Sequence, residues 1–295
     1  MKHAYLIMAH GNWEILKKLL ELLDDERHDI FLHIDAKNIM PKEYHDILKK
    51  SKLIIIKSRK VYWADFSQVE VTLDLLETAQ KKGEYSYYHL LSGTDMPLKS
   101  NKERYNFFEN SKKEFVGIVP KEVYYSVRRV KFYHPFVHCA RYRKSKLLKV
   151  LDRLLEYIQK IIRVNRLADN CWKIIDGWTW FSITEPFCQY ILNQKDTIVK
   201  MFSSSIASDE LFVQTLAYNS QFYNSLYDVT DLKKGSMRFI DWDRGTPYTW
   251  GMEESDYDVL INSPYMFARK FDEKYFDIVE RIYEEVNRRN KEDDQ

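Results

Sequence analysis

The first hundred residues alternate between two hydrophobic periods, and that alternation constrains the fold more than any other feature. Runs rich in β-branched and aromatic residues, His3–Ala9, Ile30–Ile34, Leu53–Ile56 and Tyr85–Leu91, read as strands. Between them the spacing becomes helical. Ile15, Leu16, Leu19, Leu20 and Leu23 make one stripe over Trp13–Leu23, and a second helix is expected over Pro41–Lys50. A third, Phe66–Lys82, carries Phe66, Val69, Leu73 and Leu76 on one stripe and stops at Gly83. Strands and helices in turn predict an α/β fold with a mostly parallel central sheet and helices on its faces.

The second half is less regular. We expect a strand at Trp178–Ile183, a helix at Ser208–Tyr218 with Ser208 as its N-cap, a strand at Arg238–Asp241 and a closing helix at Glu273–Asn290. The charged tail 287–295 is expected to fray. No linker and no internal repeat divides the 295 residues, so one continuous domain with an insert at about 120–175 is the simplest organisation. No apolar run approaches the roughly 20 residues of a membrane span, and the opening strand is too short for a signal peptide. Cys139, Cys171 and Cys188 are far apart and form no CxxC pair, which points away from a disulfide framework or a structural zinc site. A cytoplasmic protein is expected.

Ligands of parallel sheets sit beyond the carboxyl ends of the strands. Those ends carry His10-Gly11-Asn12, His33-Ile34-Asp35, Tyr62-Trp63 and Ser92-Gly93-Thr94-Asp95. Together they outline a nucleotide cleft. GxGxxG, GxxxxGK[ST] and GxSxG are all absent, which argues against dinucleotide dehydrogenases, P-loop enzymes and α/β-hydrolases. Aromatic residues make 15% of the chain. Their flat faces suit sugar rings and bases, although a compositional habit explains the share equally well.

Net charge is +2, but 13 Lys/Arg against 3 acids between Lys121 and Arg166 give that stretch 13 − 3 = +10. Leu147, Leu148, Leu151, Leu154, Leu155, Ile158, Ile161 and Ile162 recur there at helical spacing, with cations on the other face. Such a helix can lie on anionic lipid headgroups, or be a solvated helix with an ordinary core stripe. No nucleic-acid-binding motif accompanies the patch.

Candidate chemistry concentrates late in the chain. One carboxylate of Ser208-Asp209-Glu210 at a helix start can serve as a general base. Arg238-Phe239-Ile240-Asp241-Trp242 ends a strand in an acid and an indole, and Arg269-Lys270, between Phe267 and Phe271, can face a phosphate. Asp241-Trp242-Asp243 and Asp256-Tyr257-Asp258 are literal DxD strings, but both fall later than a metal-binding DxD normally does. His134 and His138 are four apart, but Pro135 disturbs the turn that would align them, so they read as loop or core histidines.

These segments, with Leu91–Lys99 and Gly177-Trp178-Thr179-Trp180-Phe181, occur in an order that resembles the core-2/I-branching glycosyltransferases, a family that includes β-1,6-N-acetylglucosaminyltransferases and protein xylosyltransferases. The resemblance runs from about Ala4 to Asp272 and is weakest over Lys121–Trp172. It implies a GT-A fold with a Rossmann-like nucleotide-sugar-binding half (1–119), the basic insert (120–175) and an acceptor and catalytic half (176–295). It also implies an inverting transfer, most readily of N-acetylglucosamine, from a UDP-sugar to a hydroxyl of a soluble or lipid-linked glycan, with no metal or other cofactor. Glu210 matches the family's catalytic base, and Arg269 and Lys270 its diphosphate-binding segment. Asp35 and Tyr62 fall at the nucleotide, Asp95 and Trp242 in motifs lining the sugar and acceptor side, and Trp180 beside the acceptor. Two rival readings are a metal-dependent transferase using Asp241 and Asp243, and a non-catalytic carbohydrate-binding or scaffolding protein. The basic insert (121–166) is the candidate for peripheral membrane contact.

Overall fold

A computed structural model describes residues 1–168 and 171–293. The four expected strands form β1 (Lys2–Ala9), β2 (His28–Ile34), β3 (Lys52–Ile55) and β4 (Tyr85–Ser92), all parallel. Two later strands, β6 (Phe115–Ile118) and β7 (Gly177–Thr184), extend the sheet antiparallel, in the order β3-β2-β1-β4-β7-β6. The chain's second half therefore completes the sheet begun by the first. A small second sheet joins β5 (Met96–Pro97), β8 (Arg238–Ile240) and β9 (Phe267–Arg269) in the order β5-β9-β8.

Side chains alternate along β1, so its two faces feed two cores. Ala4 and Leu6 face Val69, Leu73 and Leu76 of α2 (Ser67–Lys82). Tyr5 and Ile7 face Leu16, Leu19, Leu20 and Leu23 of α1 (Trp13–Leu23), together with Phe108 of α3 (Asn101–Ser111). Helix α3 opens with a reciprocal cap: Ser100 Oγ accepts from Glu103 N at 3.1 Å, and Glu103 Oε2 accepts from Ser100 N at 2.8 Å.

The basic insert builds α4 (Tyr124–Lys131) and α5 (Lys146–Ile161). Helices α6 (Glu185–Asn193), α7 (Lys195–Phe202), α8 (Phe212–Tyr218), α9 (Leu232–Ser236) and α10 (Asp256–Ile261) follow. The last helix, α11 (Phe276–Asp293), packs Ile278, Val279, Ile282 and Val286 against Ile15 and Leu22 of α1. It continues through most of the tail expected to fray; residues 294–295 lie outside the described residues. Among the described residues no helix is long and apolar enough to cross a membrane.

Two expected helices require correction, and a third element settles a choice left open. Over Pro41–Lys50 only a 3₁₀ turn forms, Lys42–Asp46. The Asp24 carboxylate captures the amides of Lys49, Lys50 and Ser51 at 2.7, 2.8 and 2.7 Å, which draws that backbone out of helical geometry. The helix expected over Ser208–Tyr218 is split into a 3₁₀ turn, Ser208–Glu210, and α8, with Leu211 at φ −122° between them. Ser208 is not its cap: left-handed Ala207 (φ 49°) precedes the turn, and Ser208 Oγ is buried without a hydrogen-bond partner among the described residues.

For α5 the structure decides between the two readings left open: Leu148, Leu151 and Leu155 are half-buried, and the rest of its apolar stripe faces outward rather than into a core. Asp152, Glu156 and Gln159 are its buried residues, while Leu147 and Ile161 are 67% and 63% exposed. The helix is held by polar bonds on its inner face. His134 Nδ1 and Asp152 Oδ2 are 2.8 Å apart, Arg128 Nη2 donates to Glu156 Oε2 at 2.6 Å, and Gln159 Oε1 accepts from Tyr133 N at 2.8 Å.

Candidate active site

At the carboxyl end of the parallel strands lies a cleft of about 530 Å³. His10 and Asn12 line it from the end of β1, His33 and Asp35 from β2, Tyr62 and Trp63 from the segment after β3, and Ser92 and Thr94 from β4. Gly11 (φ 132°) and Asn12 (φ 51°) turn the chain there through left-handed backbone, which glycine and asparagine tolerate best. Trp180 of β7, Trp242 beyond β8, and Arg269 and Lys270 at the end of β9 close the other side. A smaller hollow of about 230 Å³, lined by Asp25, Arg27 and Asn101, sits at the amino end of β2, away from these residues.

Each wall is organised by its own contacts. Asp35 is buried and pairs with Lys37 Nζ at 3.0 Å, and the same ammonium lies 5.0 Å from the centre of the Tyr62 ring. Asp95 does not line the cleft but lies buried behind Arg269. Its Oδ1 and Oδ2 accept from Ser92 Oγ and Ser92 N at 2.7 and 3.0 Å, and Oδ1 stands 3.6 Å from Arg269 Nε. Burial raises the Asp95 carboxyl above its usual value, with Arg269 opposing, and burial lowers the Arg269 guanidinium. Arg269 lies 4.1 Å from the centre of the Trp180 ring, and its Nε has no hydrogen-bond partner among the described residues. Asp95 and Trp180 thus hold a guanidinium whose donors are incompletely used at the cleft wall.

Glu210 is not among the lining residues. It ends the 3₁₀ turn that follows Ala207, whose amide donates to Ala64 O at 2.7 Å. Arg129 of α4 grips this turn: Nε donates to Ile206 O at 3.0 Å, Nη2 donates to Ala207 O and to Glu210 Oε2, the latter at 2.8 Å, and Nη1 donates to Asp176 at 3.2 Å. Although 43% of the Glu210 side chain is exposed, its carboxyl group is enclosed enough that desolvation dominates. Desolvation, reinforced by Asp209 and opposed by Arg129, pushes it up to about 7. Asp209 is buried and accepts from Thr179 Oγ1 at 2.9 Å, and burial raises it too. Asp209 also lies near enough to Arg269 to favour its charged form, which connects the turn to the cleft wall that Arg269 forms.

The first carboxylate of each DxD string is otherwise engaged. Asp241 accepts from the amides of Asp243 and Arg244 and from Arg244 Nε at 2.7 Å, while Asp243 is 89% exposed. Asp256 accepts from Tyr248 Oη and from the amides of Gly251 and Glu253. Among the described residues no group of three or more His, Cys, Asp or Glu is placed to hold a metal ion. His134 turns to Asp152 and His138 to Asp65, so the pair shares no target.

Sequence reasoning missed Arg129, counted only as one cation in a basic run, and missed Lys37, Arg143 and Lys144 around the cleft. Nothing local distinguishes Arg129 from Arg128 beside it. Its role depends on residues 47 and 81 positions away.

The family model for the Core-2/I-Branching enzyme matches residues 3–260. No curated protein matches the chain.

Proposed function

The chain belongs to the core-2/I-branching enzyme family, a family of glycosyltransferases, and from this we propose an inverting transfer from a UDP-sugar, most readily UDP-N-acetylglucosamine, to a hydroxyl of a glycan. The observation that carries the reading is the cleft at the carboxyl ends of the parallel strands that Arg269 and Lys270 line, with Glu210 held by Arg129 on the turn whose Asp209 lies near Arg269, its carboxyl raised by desolvation to about 7. A base with that value is half charged at neutral pH and accepts a proton with little mismatch.

In the proposed reaction the acceptor oxygen attacks C1 of the donor sugar from the face opposite the diphosphate. Its proton passes to Glu210, the C1–O bond to the diphosphate breaks, and UDP departs with both bonding electrons. Arg269 and Lys270 offset the charge that develops on the diphosphate, and Asp95 with Trp180 keeps the guanidinium aimed. Asp35 and Tyr62 hold the nucleotide, and Trp242, with Trp180, offers its face to a sugar ring. Two cations in the place of a divalent ion make the reaction metal-independent in this reading. The engagement of Asp241 with Arg244 supports it.

Calorimetric titration of UDP and UDP-N-acetylglucosamine in EDTA, then with manganese, tests the proposal. Binding in EDTA that is lost in Lys270→Ala is the expected result. Binding only with manganese overturns metal independence, and no binding in either condition overturns the UDP-sugar assignment.

A further inference from the structure

We propose that α5 is a docking helix for an anionic lipid surface. Leu147, Val150, Leu154, Tyr157, Ile158 and Ile161 are all exposed, and their spacing puts them on one arc of the helix. Lys146, Lys149, Arg153 and Lys160 fall on the arc beside it and are also exposed. The two acids of the helix are turned inward, Asp152 paired with His134 and Glu156 with Arg128 and with Lys160, which leaves Lys146, Lys149 and Arg153 as the cations of that arc with no carboxylate of this helix on them. Its outer surface is therefore apolar and cationic with no carboxylate. An amphipathic helix in water normally buries its apolar arc; this one buries its polar arc and presents the apolar arc with flanking cations.

That pairing of chemistries identifies the occupant. An apolar partner alone needs no flanking cations, and an acidic partner alone needs no row of aliphatic side chains. A bilayer with anionic headgroups offers both, with acyl chains beneath and phosphates at the level of the lysines. The stretch Lys121–Arg166 carries a net +10, which favours attraction to such a surface even though Arg128, Arg129 and Arg166 are held by internal partners. Lys149 Nζ lies 6.0 Å, and Arg143 5.8 Å, from the centre of the Trp63 ring, which lines the cleft. The docked helix would therefore hold the cleft close to the headgroups, where a lipid-linked acceptor is presented.

The test is co-sedimentation of the full chain with phosphatidylcholine vesicles, with and without phosphatidylglycerol. It needs no donor or acceptor, so its outcome is independent of the transferase assignment. Binding to the anionic vesicles only, weakened by salt, is expected. Leu154→Asp should reduce it by about a hundredfold, through loss of one leucine's apolar surface and repulsion of the new carboxylate by the anionic headgroups. Arg153→Gln should reduce it about fivefold through loss of one cation at the surface. Both side chains are exposed, so both variants should keep the wild-type unfolding midpoint. Absence of binding to anionic vesicles at low salt overturns the proposal. So does a concentration-dependent dimer in sedimentation velocity that Leu154→Asp dissolves, because a second copy of the chain would then cover the face.

Discussion

Arg129 donates to Glu210 at 2.8 Å from a helix 81 residues earlier in the chain, and so places the carboxylate while opposing the rise in its pKa. The basic insert thus supplies the group that orients the proposed base. Because the carboxylate must be charged to accept a proton, transfer should rise with pH to a plateau, with a midpoint near 7. Glu210→Gln should lose about a thousandfold in kcat and keep UDP binding, the usual scale for one general base. Asp209 pushes the midpoint up, so Asp209→Asn should move it down. A pH–rate profile of the three proteins checks all of this, and an unmoved midpoint in Asp209→Asn would contradict it.

Removing Arg129 should damage stability and titration together. Arg129→Met removes the donor of Ile206 O and one of the donors of Asp176 and of Ala207 O, leaving Asp176 to Ser126 Oγ and Ala207 O to the Glu210 amide, at a cost on the order of 2 kcal/mol. It also removes the cation that lowers Glu210, so the activity midpoint should rise. Urea unfolding reads the first effect and the pH profile of the surviving activity reads the second.

At the opposite wall, Arg269→Met should slow transfer about a hundredfold, the scale of losing one group that stabilises developing charge. Trp180→Leu removes the ring under the guanidinium and should lower kcat about fivefold, a cation–π contact's worth, with any further loss through its sugar-facing side appearing in the acceptor KM. Steady-state kinetics with UDP release as readout separates the two.

Away from the cleft, Glu114 is buried, accepts from both the amide and hydroxyl of Thr184, and is pushed up to about 7 by burial. Since its folded value lies above its ordinary 4.5, the folded protein holds the proton more tightly, and stability should fall as pH rises from 4.5 through 7. The loss amounts to about 3 kcal/mol. Glu114→Gln can accept from the amide and donate to the hydroxyl, so it should abolish that pH dependence. Chemical denaturation at pH 5 and pH 8 of both proteins, about three units apart, is the measurement.

Much of the architecture was local and therefore legible. The stripe over Trp13–Leu23 predicted α1 to the residue, and the alternation of strands and helices predicted the parallel part of the sheet, because each pattern reflects burial of one side of a short segment. The segments after the four parallel strands also came together, since a parallel sheet brings those ends to one edge. Helix α5 shows where local pattern stops. Its period predicted a helix with an apolar arc and left open which way the arc would face, and only the bonds from Asp152, Glu156 and Gln159 to the neighbouring segment decide that. In the same way Ser208-Asp209-Glu210 suggested an ordinary capped helix start. The split helix is held by Arg129, Ala64 and Thr179, brought there from other parts of the chain, and the Glu210 carboxyl is raised by its desolvation in that packed turn beside Asp209, against the pull of Arg129. Residue spacing records what a segment does with its own two faces. Desolvation and pairing of charge depend on partners remote in sequence, and for this protein only the tertiary structure supplies them.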